Sequence, residues 1–291
     1  METLLSIIIP QKNSAKLVRR CLNSIPKDDY IQIIVVDDNS SKPEELRALE
    51  SDVDFPNIEF VYTTEGRGAG YARNVGLQHA QSEWLLFSDA DDFFDELAFD
   101  TIKNYLRSEF DMVVFKHRSE NSETGEATVR SNSRNNYIDS YLNGDSLQMN
   151  KIRYCNDVPW AKLIRRKLVL DNNIVFDEVP ASNDTMFSLM CGHYSQKIHV
   201  DPTVIYVVTV QEGSITKTKS IERYYSDHCV ALRKNQFVRS IGHPECQEII
   251  FSRIAIVART FGLKQMIRFL KEVKKYDGKL FYGLSAKIGI R

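Results

Sequence analysis

Carboxylates follow two abrupt endings of apolar runs: Val35-Val36 gives way to Asp37-Asp38-Asn39-Ser40, and Phe87-Ser88 to Asp89-Ala90-Asp91-Asp92. Two acids with one residue between them at such a point can both reach one divalent cation, and hard oxygen ligands favour Mg2+ or Mn2+ over zinc. A cation so held would grip a diphosphate. Aspartates at strand ends also form turns and cap helices, so neither cluster decides anything alone. Between them lies Glu65-Gly66-Arg67-Gly68-Ala69-Gly70-Tyr71-Ala72-Arg73-Asn74-Val75-Gly76. Its glycines let a backbone approach a phosphate at a helix N-terminus, with Arg67 or Arg73 supplying charge, and a flexible surface loop would look the same. No Gly-Lys-Ser/Thr follows, and the segment comes after the third apolar run, whereas a dinucleotide fingerprint follows the first. Asp184 precedes a helical run at 185–190 and reads as its N-cap. His193 and His199 are too far apart for one helical turn and His228 stands alone, which argues against zinc.

These groups need a scaffold. Residues 4–9, 31–36, 58–62, 84–87 and 112–115 are short apolar runs that read as strands. Residues 15–25, 69–80 and 96–106 carry apolar side chains at helical spacing, and a short helix opens near Pro43. Strands alternating with helices predict βαβ units, a mainly parallel sheet and an α/β fold. Ligands of such sheets bind outside the carboxyl ends of the strands, which puts both acidic clusters on the functional edge. From 118 to 136 almost nothing is apolar, which predicts a loop and an internal boundary. Beyond it, 158–170 reads as a helix around Trp160, Leu163, Ile164, Leu168 and Leu170, 184–192 as a helix, 204–210 as a strand, and 223–273 as helical.

In their order along the chain, Pro10-x-x-Asn13, Val35-Val36-Asp37-Asp38-Asn39-Ser40, Gly68-x-Gly70-x-Ala72-Arg73-Asn74-x-Gly76 and Phe87-Ser88-Asp89-Ala90-Asp91-Asp92 resemble the family 2 glycosyltransferases of the GT-A fold. The likeness is close over residues 4–100. It extends less specifically to Val158-Pro159-Trp160-Ala161-Lys162-Leu163-Ile164-Arg165-Arg166, to Asn183-Asp184-Thr185-Met186-Phe187 and to Gln211-Glu212-Gly213-Ser214-Ile215, segments like those of bacterial members that build surface polysaccharides such as capsule or O-antigen. The resemblance implies a twisted GT-A sheet flanked by helices, with a helical C-terminal extension. Residues 1–117 would form the nucleotide-sugar half, 118–215 the acceptor-shaping half that carries the base, and 216–291 the helical region with a basic tail. It implies donor contacts from Pro10, Asp38, Arg73 and Asp89, with Asp38 accepting from uracil N3–H and Asp89 approaching the ribose. Asp91 would hold Mn2+ or Mg2+. Asp184 would be the general base in one inverting displacement that carries a hexosyl or N-acetylhexosaminyl group from a UDP-sugar to a hydroxyl of a growing, lipid-linked glycan. Trp160 and Lys162 are acceptor-side candidates, and a tryptophan at helical spacing with Leu163 and Ile164 is more often a core residue. The chain departs from the pattern at Lys12, where many members carry an aromatic residue, and at Asn183, where Glu-Asp is common.

Composition sets outer bounds. The chain has 291 residues, 43% apolar and 26% charged, a globular balance. Its 38 basic and 39 acidic side chains leave no global positive field for nucleic acid. Five cysteines without C-x-x-C spacing predict no disulfide framework and suit the cytoplasm, and the N-terminal apolar run is too short for a secretory signal. From Lys264 onward eight cations face two acids, with Leu263, Ile267, Leu270 and Val273 at helical spacing. That pattern suits peripheral attachment of 263–291 to the anionic inner face of a membrane, or a helix packed on the catalytic domain with a wet basic face. Three rival functions are a nucleotide-dependent oxidoreductase that reads 66–70 as a dinucleotide loop, a non-catalytic nucleotide-sugar-binding protein of the same fold, and a membrane-adaptor module working through the basic tail.

Overall fold

Three short apolar runs, 5–11, 31–37 and 84–87, form the centre of the sheet because each is buried on both faces, and a fourth, 58–62, lies half-buried at its edge. A computed structural model describes residues 3–129, 132–210, 220–280 and 282. Strands β1 (Leu5–Gln11), β2 (Ile31–Asp37), β3 (Ile58–Tyr62) and β4 (Trp84–Phe87) are mutually parallel, with β1 between β2 and β4. Side chains alternate across them. Ile7, Ile9 and Val35 pack under α1 (Ala15–Asn23), α2 (Pro43–Asp52) and α4 (Ala98–Lys103), while Ile8, Ile34 and Val36 pack under α3 (Ala69–His79). The remaining strands are β5 (Phe93–Phe94), β6 (Met112–Asn121), β7 (Lys162–Arg165) and β8 (Ile198–Val210), and the sheet order is β3-β2-β1-β4-β7-β6-β8-β5. Strand β7 runs antiparallel between β4 and β6, and β6 runs parallel to β8. Helices α5 (Asn132–Leu142), α6 (Gln148–Tyr154), α7 (Arg166–Asp171) and α8 (Thr185–Tyr194) belong to the same body. Helices α9 (Ile221–Ser240), α10 (Ile250–Phe261) and α11 (Leu263–Lys275) share a small core around Leu232, Ile254 and Phe269.

The α/β class, the mainly parallel sheet and the helical C-terminal region match expectation, and two stretches do not. Residues 158–170 are not one helix. Leu163 and Ile164 point to opposite cores, a two-residue period, because Lys162–Arg165 fills the gap between β4 and β6. The polar stretch from 118 to 136 is strand as far as Asn121 and helix from Asn132. Its ladder comes from β8, and the exposed Arg118 pairs with Asp95 at 3.0 Å, so polar residues are tolerated on that face. Strand β6 therefore runs through residue 117, and the first two parts of the chain share one sheet. The segment 211–215 and residues 283–291, including Lys287 and Arg291, lie outside the described residues.

Helix α3 can approach β1 closely because position 76 is glycine. A Cβ there would lie 2.5 Å from Cγ2 of Ile8. Helix propensity alone favours alanine by about 1 kcal/mol. Gly76→Ala is nevertheless expected to destabilise the fold by about 1–3 kcal/mol through overpacking. A urea midpoint that does not fall, with an unchanged slope, would show that α3 does not press on Ile8 as described.

Candidate active site

Strand order reverses between β1 and β4, and their ladder ends at Ile8 and Phe87. Beyond it the strands part. Pro10, buried in β1, pairs with Val36 of β2 past the end of β4, where a missing N–H breaks no bond to that strand. Asp37 and Asp38 close β2 and divide the work. Asp37 accepts from Ser40 N–H at 3.2 Å and from the side chain of Gln11, which shapes the turn. Asp38, nearly buried, accepts from Gly68 N–H with both oxygens at 3.0 Å and pairs with Lys12 Nζ at 3.3 Å. Gly68, at φ 96°, has the left-handed backbone that glycine adopts without strain. One carboxylate thus ties the ends of β1 and β2 to the glycine loop.

The acidic turn after β4 is held from below. Tyr206 of β8 is fully buried, and its hydroxyl accepts from Asp89 N–H at 2.9 Å and donates to Asp92 Oδ2 at 3.0 Å. Thr209 N–H donates to Asp92 Oδ1 at 2.7 Å, and Arg20 reaches the Asp91 carbonyl. Burial raises the pKa of Asp92 well above the usual carboxylate range, and the charges of Asp89 and Asp91 push it the same way. Trp160 stacks under the Tyr206 ring at 5.2 Å and 12°. Carboxylate oxygens of Asp89, Asp91 and Asp92 lie within 4.8 Å of one another. This all-oxygen set fits a hard divalent cation, and with Asp92 engaged by Tyr206 and Thr209, Asp91 and Asp89 are the residues that would hold it.

Arg73 of α3, buried, joins this turn to the second candidate carboxylate. Its guanidinium donates to Asp89 Oδ1 at 2.5 Å and to Asn183 Oδ1 at 2.7 Å. Burial works against the Arg73 charge, but Asp89 and Asp184 outweigh it and raise the pKa. The Asp177–Asn183 loop presses on α3 where position 70 is glycine, since a Cβ there would lie 1.9 Å from the Asp177 carbonyl oxygen. Phe176 and Phe187 stack at 3.8 Å beside Phe87, fastening the loop and α8 to the end of β4. Asp184 occupies the N-cap position of α8 without a side-chain capping bond. Burial pushes its pKa from 3.8 to about 6, against the opposing pull of Arg73. A neutral Asn183 adds no repulsion, so burial is the main cause.

The family model for glycosyl transferase family 2 matches residues 6–171, more than half of the chain. The chain belongs to glycosyltransferase family 2. EpsH of Bacillus subtilis is 25% identical over 75% of this chain and 64% of its own length. The poly(ribitol-phosphate) beta-N-acetylglucosaminyltransferase TarS of Staphylococcus aureus is 26% identical over 72% of this chain and 36% of its own. The chain thus spans less than two thirds of either relative. A crystal structure of S. aureus TarS residues 1–349 with UDP-GlcNAc superposes with a TM-score of 0.69 at 22% identity, covering 94% of this chain and 80% of that one. That likeness extends the shared fold into the C-terminal helices.

In this family 2 glycosyltransferase the loops gather Asp38, Arg73, Asp89, Asp91 and Asp184 along one sheet edge, with Pro10 beneath. Trp160 and Lys162 sit elsewhere. Trp160 is 7% exposed and packs against Tyr206 and His117, and Lys162 is fully buried, donating to the Asn156 carbonyl at 2.5 Å. Burial draws the Lys162 pKa down to about 8. Neither presents an open platform to a sugar; Trp160 backs the Tyr206 ring from below. Sequence reasoning missed Tyr206, Thr209 and Arg20, which carry no motif and become neighbours of the acidic turn only when β8 joins the sheet. Tyr206→Phe leaves two buried partners unsatisfied and is expected to cost about 1–3 kcal/mol. A urea midpoint equal to the parent's would show that the hydroxyl does not hold the turn.

Proposed function

We propose that this chain is an inverting transferase that moves a sugar from a nucleotide-diphosphate donor, a UDP-sugar, to a hydroxyl of a growing surface glycan. The carrying observation is that one buried guanidinium, Arg73, bridges Asp89 of the acidic turn and Asn183 beside an uncapped, desolvated Asp184. On this reading Asp38 and Pro10 receive the base, Asp89 the ribose, and Asp91 with Asp89 a Mn2+ or Mg2+ ion. When bound, that ion supplies positive charge at the departing diphosphate. The acceptor oxygen forms its bond to the anomeric carbon as the bond to the diphosphate breaks, and its proton passes to Asp184. One displacement turns an α-linked donor into a β-glycoside. The beta-N-acetylglucosaminyltransferase name of TarS supports that outcome. Lys12, paired with Asp38, places a cation where an aromatic ring would stack, so base recognition here leans on hydrogen bonding.

Asp184→Asn is expected to lower transfer by about 10²–10⁴-fold, leaving donor binding by calorimetry intact. Asp91→Ala is expected to abolish both transfer and the extra thermal stabilisation that Mn2+ gives with a UDP-sugar. Because the Asp184 pKa is raised to about 6, the base is protonated below that value, and kcat/KM should fall tenfold per pH unit on the acid side. Undiminished turnover in either variant removes the role assigned to that residue, and donor binding by the parent without any transfer would favour the non-catalytic reading.

Among the described residues no helix is long and apolar enough to cross a membrane. In α11, Phe269 and Val273 face the small core while Leu263 and Ile267 are exposed beside Lys264 and Lys271. This arrangement supports peripheral attachment to anionic lipid, which would suit a lipid-linked acceptor at the inner face of the membrane. Leu263→Glu with Ile267→Glu should reduce cosedimentation with phosphatidylglycerol vesicles and leave donor affinity unchanged; equal sedimentation would remove the proposal.

A further inference from the structure

Cys155 and Cys246 are 91 residues apart in sequence and meet where the sheet body joins the C-terminal helices. Cys155 directly follows α6, and Cys246 closes a 3-10 turn at Pro244–Cys246 beyond α9. Several contacts hold the two segments together. Tyr154 stacks on His243 at 5.0 Å and 28°, Lys151 reaches the Glu245 carbonyl, and Cys246 Sγ lies 3.6 Å from the Asn150 carbonyl oxygen. Cys155 Sγ lies 3.9 Å from the Cys246 carbonyl oxygen, and the two thiols are hydrogen-bonded to each other. Both are free.

The pair has a route to solvent. A charged cavity of about 330 Å3, walled by α5, α6, the start of α8, α9 and α10, is lined by both cysteines together with Lys151, Asp157 and Lys234. Cys155 is part-exposed, and Cys246 is 2% exposed. A cysteine enclosed by apolar groups is inert packing, whereas one beside cations and an opening is reactive. Hydrogen bonding from Cys246 draws the Cys155 thiol from its ordinary 9.0 down to about 7, and the charges of Lys234 and Lys151 act the same way against burial. The same bond, with burial, pushes Cys246 up. One thiol is thus ready to ionise while its neighbour keeps its proton. Among the described residues, Asp89, Asp91 and Asp92 are the one group of three or more metal-type ligands within 4.8 Å of one another, and neither thiol belongs to it.

We propose that Cys155 and Cys246 form a redox modification site, in which a low-molecular-weight disulfide oxidises the two thiols to a reversible cross-link between the sheet body and the C-terminal region. The Cys155 thiolate attacks one sulfur of the small disulfide RSSR. That S–S bond breaks, one RS− leaves, and Cys155 carries RS as a mixed disulfide. The thiolate that held the Cys246 proton in place is then gone, so Cys246 ionises more readily. Its sulfur attacks that of Cys155 and expels the second RS−. Two electrons pass to the small disulfide, and the two thiol protons end on the two released RS−. Excess small thiol runs the same steps backwards. Ser182 Oγ donates to Asp227 Oδ1 of α9 at 2.6 Å, so the cross-link fastens to α6 the region that grips the loop before Asp184.

The test uses the full-length reduced chain, incubated at neutral pH with oxidised glutathione, quenched with acid, alkylated in denaturant with N-ethylmaleimide and mapped by mass spectrometry without reduction. At neutral pH a thiol at about 7 is about half ionised, against about 1% for one at about 9, and the weaker nucleophilicity of the more acidic thiolate takes back about tenfold. Cys155 is therefore expected to react about fivefold faster, or more, than Cys229, the other part-exposed cysteine, and to end in a Cys155–Cys246 linked peptide that dithiothreitol reverses. The fully buried Cys21 and Cys191 should remain thiols, and their protection from N-ethylmaleimide before denaturant marks a chain as folded. Cys246→Ser should stop at a lasting glutathione adduct on Cys155, with Cys246→Ala as its check at a buried position, and Cys155→Ser should leave Cys246 unmodified. No linked peptide from the folded parent, no adduct on Cys155 in a folded Cys246 variant, or an adduct on Cys246 in the Cys155→Ser chain overturns the inference. The linked chain is also expected to melt several degrees above the reduced one, since the link constrains a long loop of the unfolded state. A melting temperature that does not rise would show that the link forms only by distorting the fold, and overturns the inference as well.

Discussion

The site depends on one buried cation between acids that would otherwise repel each other. Asp89 and Asp184 come from loops almost a hundred residues apart, and gathering two carboxylates in a poorly solvated place raises the cost of ionising either. The Arg73 guanidinium offsets that cost with a planar fork, one arm on Asp89 and the other on Asn183. Because α3 is itself pressed onto β1 through Gly76 and onto the base loop through Gly70, the fork has little freedom to move. Donor-side acid and candidate base are therefore positioned by the same helix.

Beneath this edge the structure spends aromatic bulk on holding an acidic turn in shape. Asp92 is the sacrificial member of the cluster: its carboxylate is consumed by Tyr206 and Thr209, and this leaves Asp89 and Asp91 in a defined geometry at the surface. Trp160 under Tyr206 belongs to that floor, while Lys162 is buried against the Asn156 carbonyl. A motif residue can thus fix the backbone of its neighbours while its own carboxylate is turned inward.

The C-terminal helices are walls as much as an appendage. Arg223 donates to the Pro180 carbonyl at 2.8 Å, Ser226 to that of Ala181 at 2.9 Å, and Arg233 reaches Asp177, so α9 grips the loop that carries Asp184. Removal of this region would free the base loop on one side and open the charged cavity to water. The third part of the chain is in this sense a support of the candidate site.

The sequence by itself determined the parallel half of the sheet, since runs such as Ile7-Ile8-Ile9 and Ile33-Ile34-Val35-Val36 are stable only when buried on both faces, and it placed Asp38, Asp89 and Asp91 at their carboxyl ends. Those assignments rest on local periodicity and on the rule that ligands bind where strands end. It also marked Asp184, but as N-cap or base alike, because a lone aspartate before a helix carries no local sign of what surrounds it. Tertiary structure decided β7, the polar end of β6, the buried places of Trp160 and Lys162, the partnership of Tyr206 with Asp92, and the burial of Asp184 at a helix start that it does not cap. In each case the deciding energy comes from residues distant in the chain: a strand completes a ladder only if its neighbours are present, and an ionisable group takes its pKa from atoms that folding alone brings near.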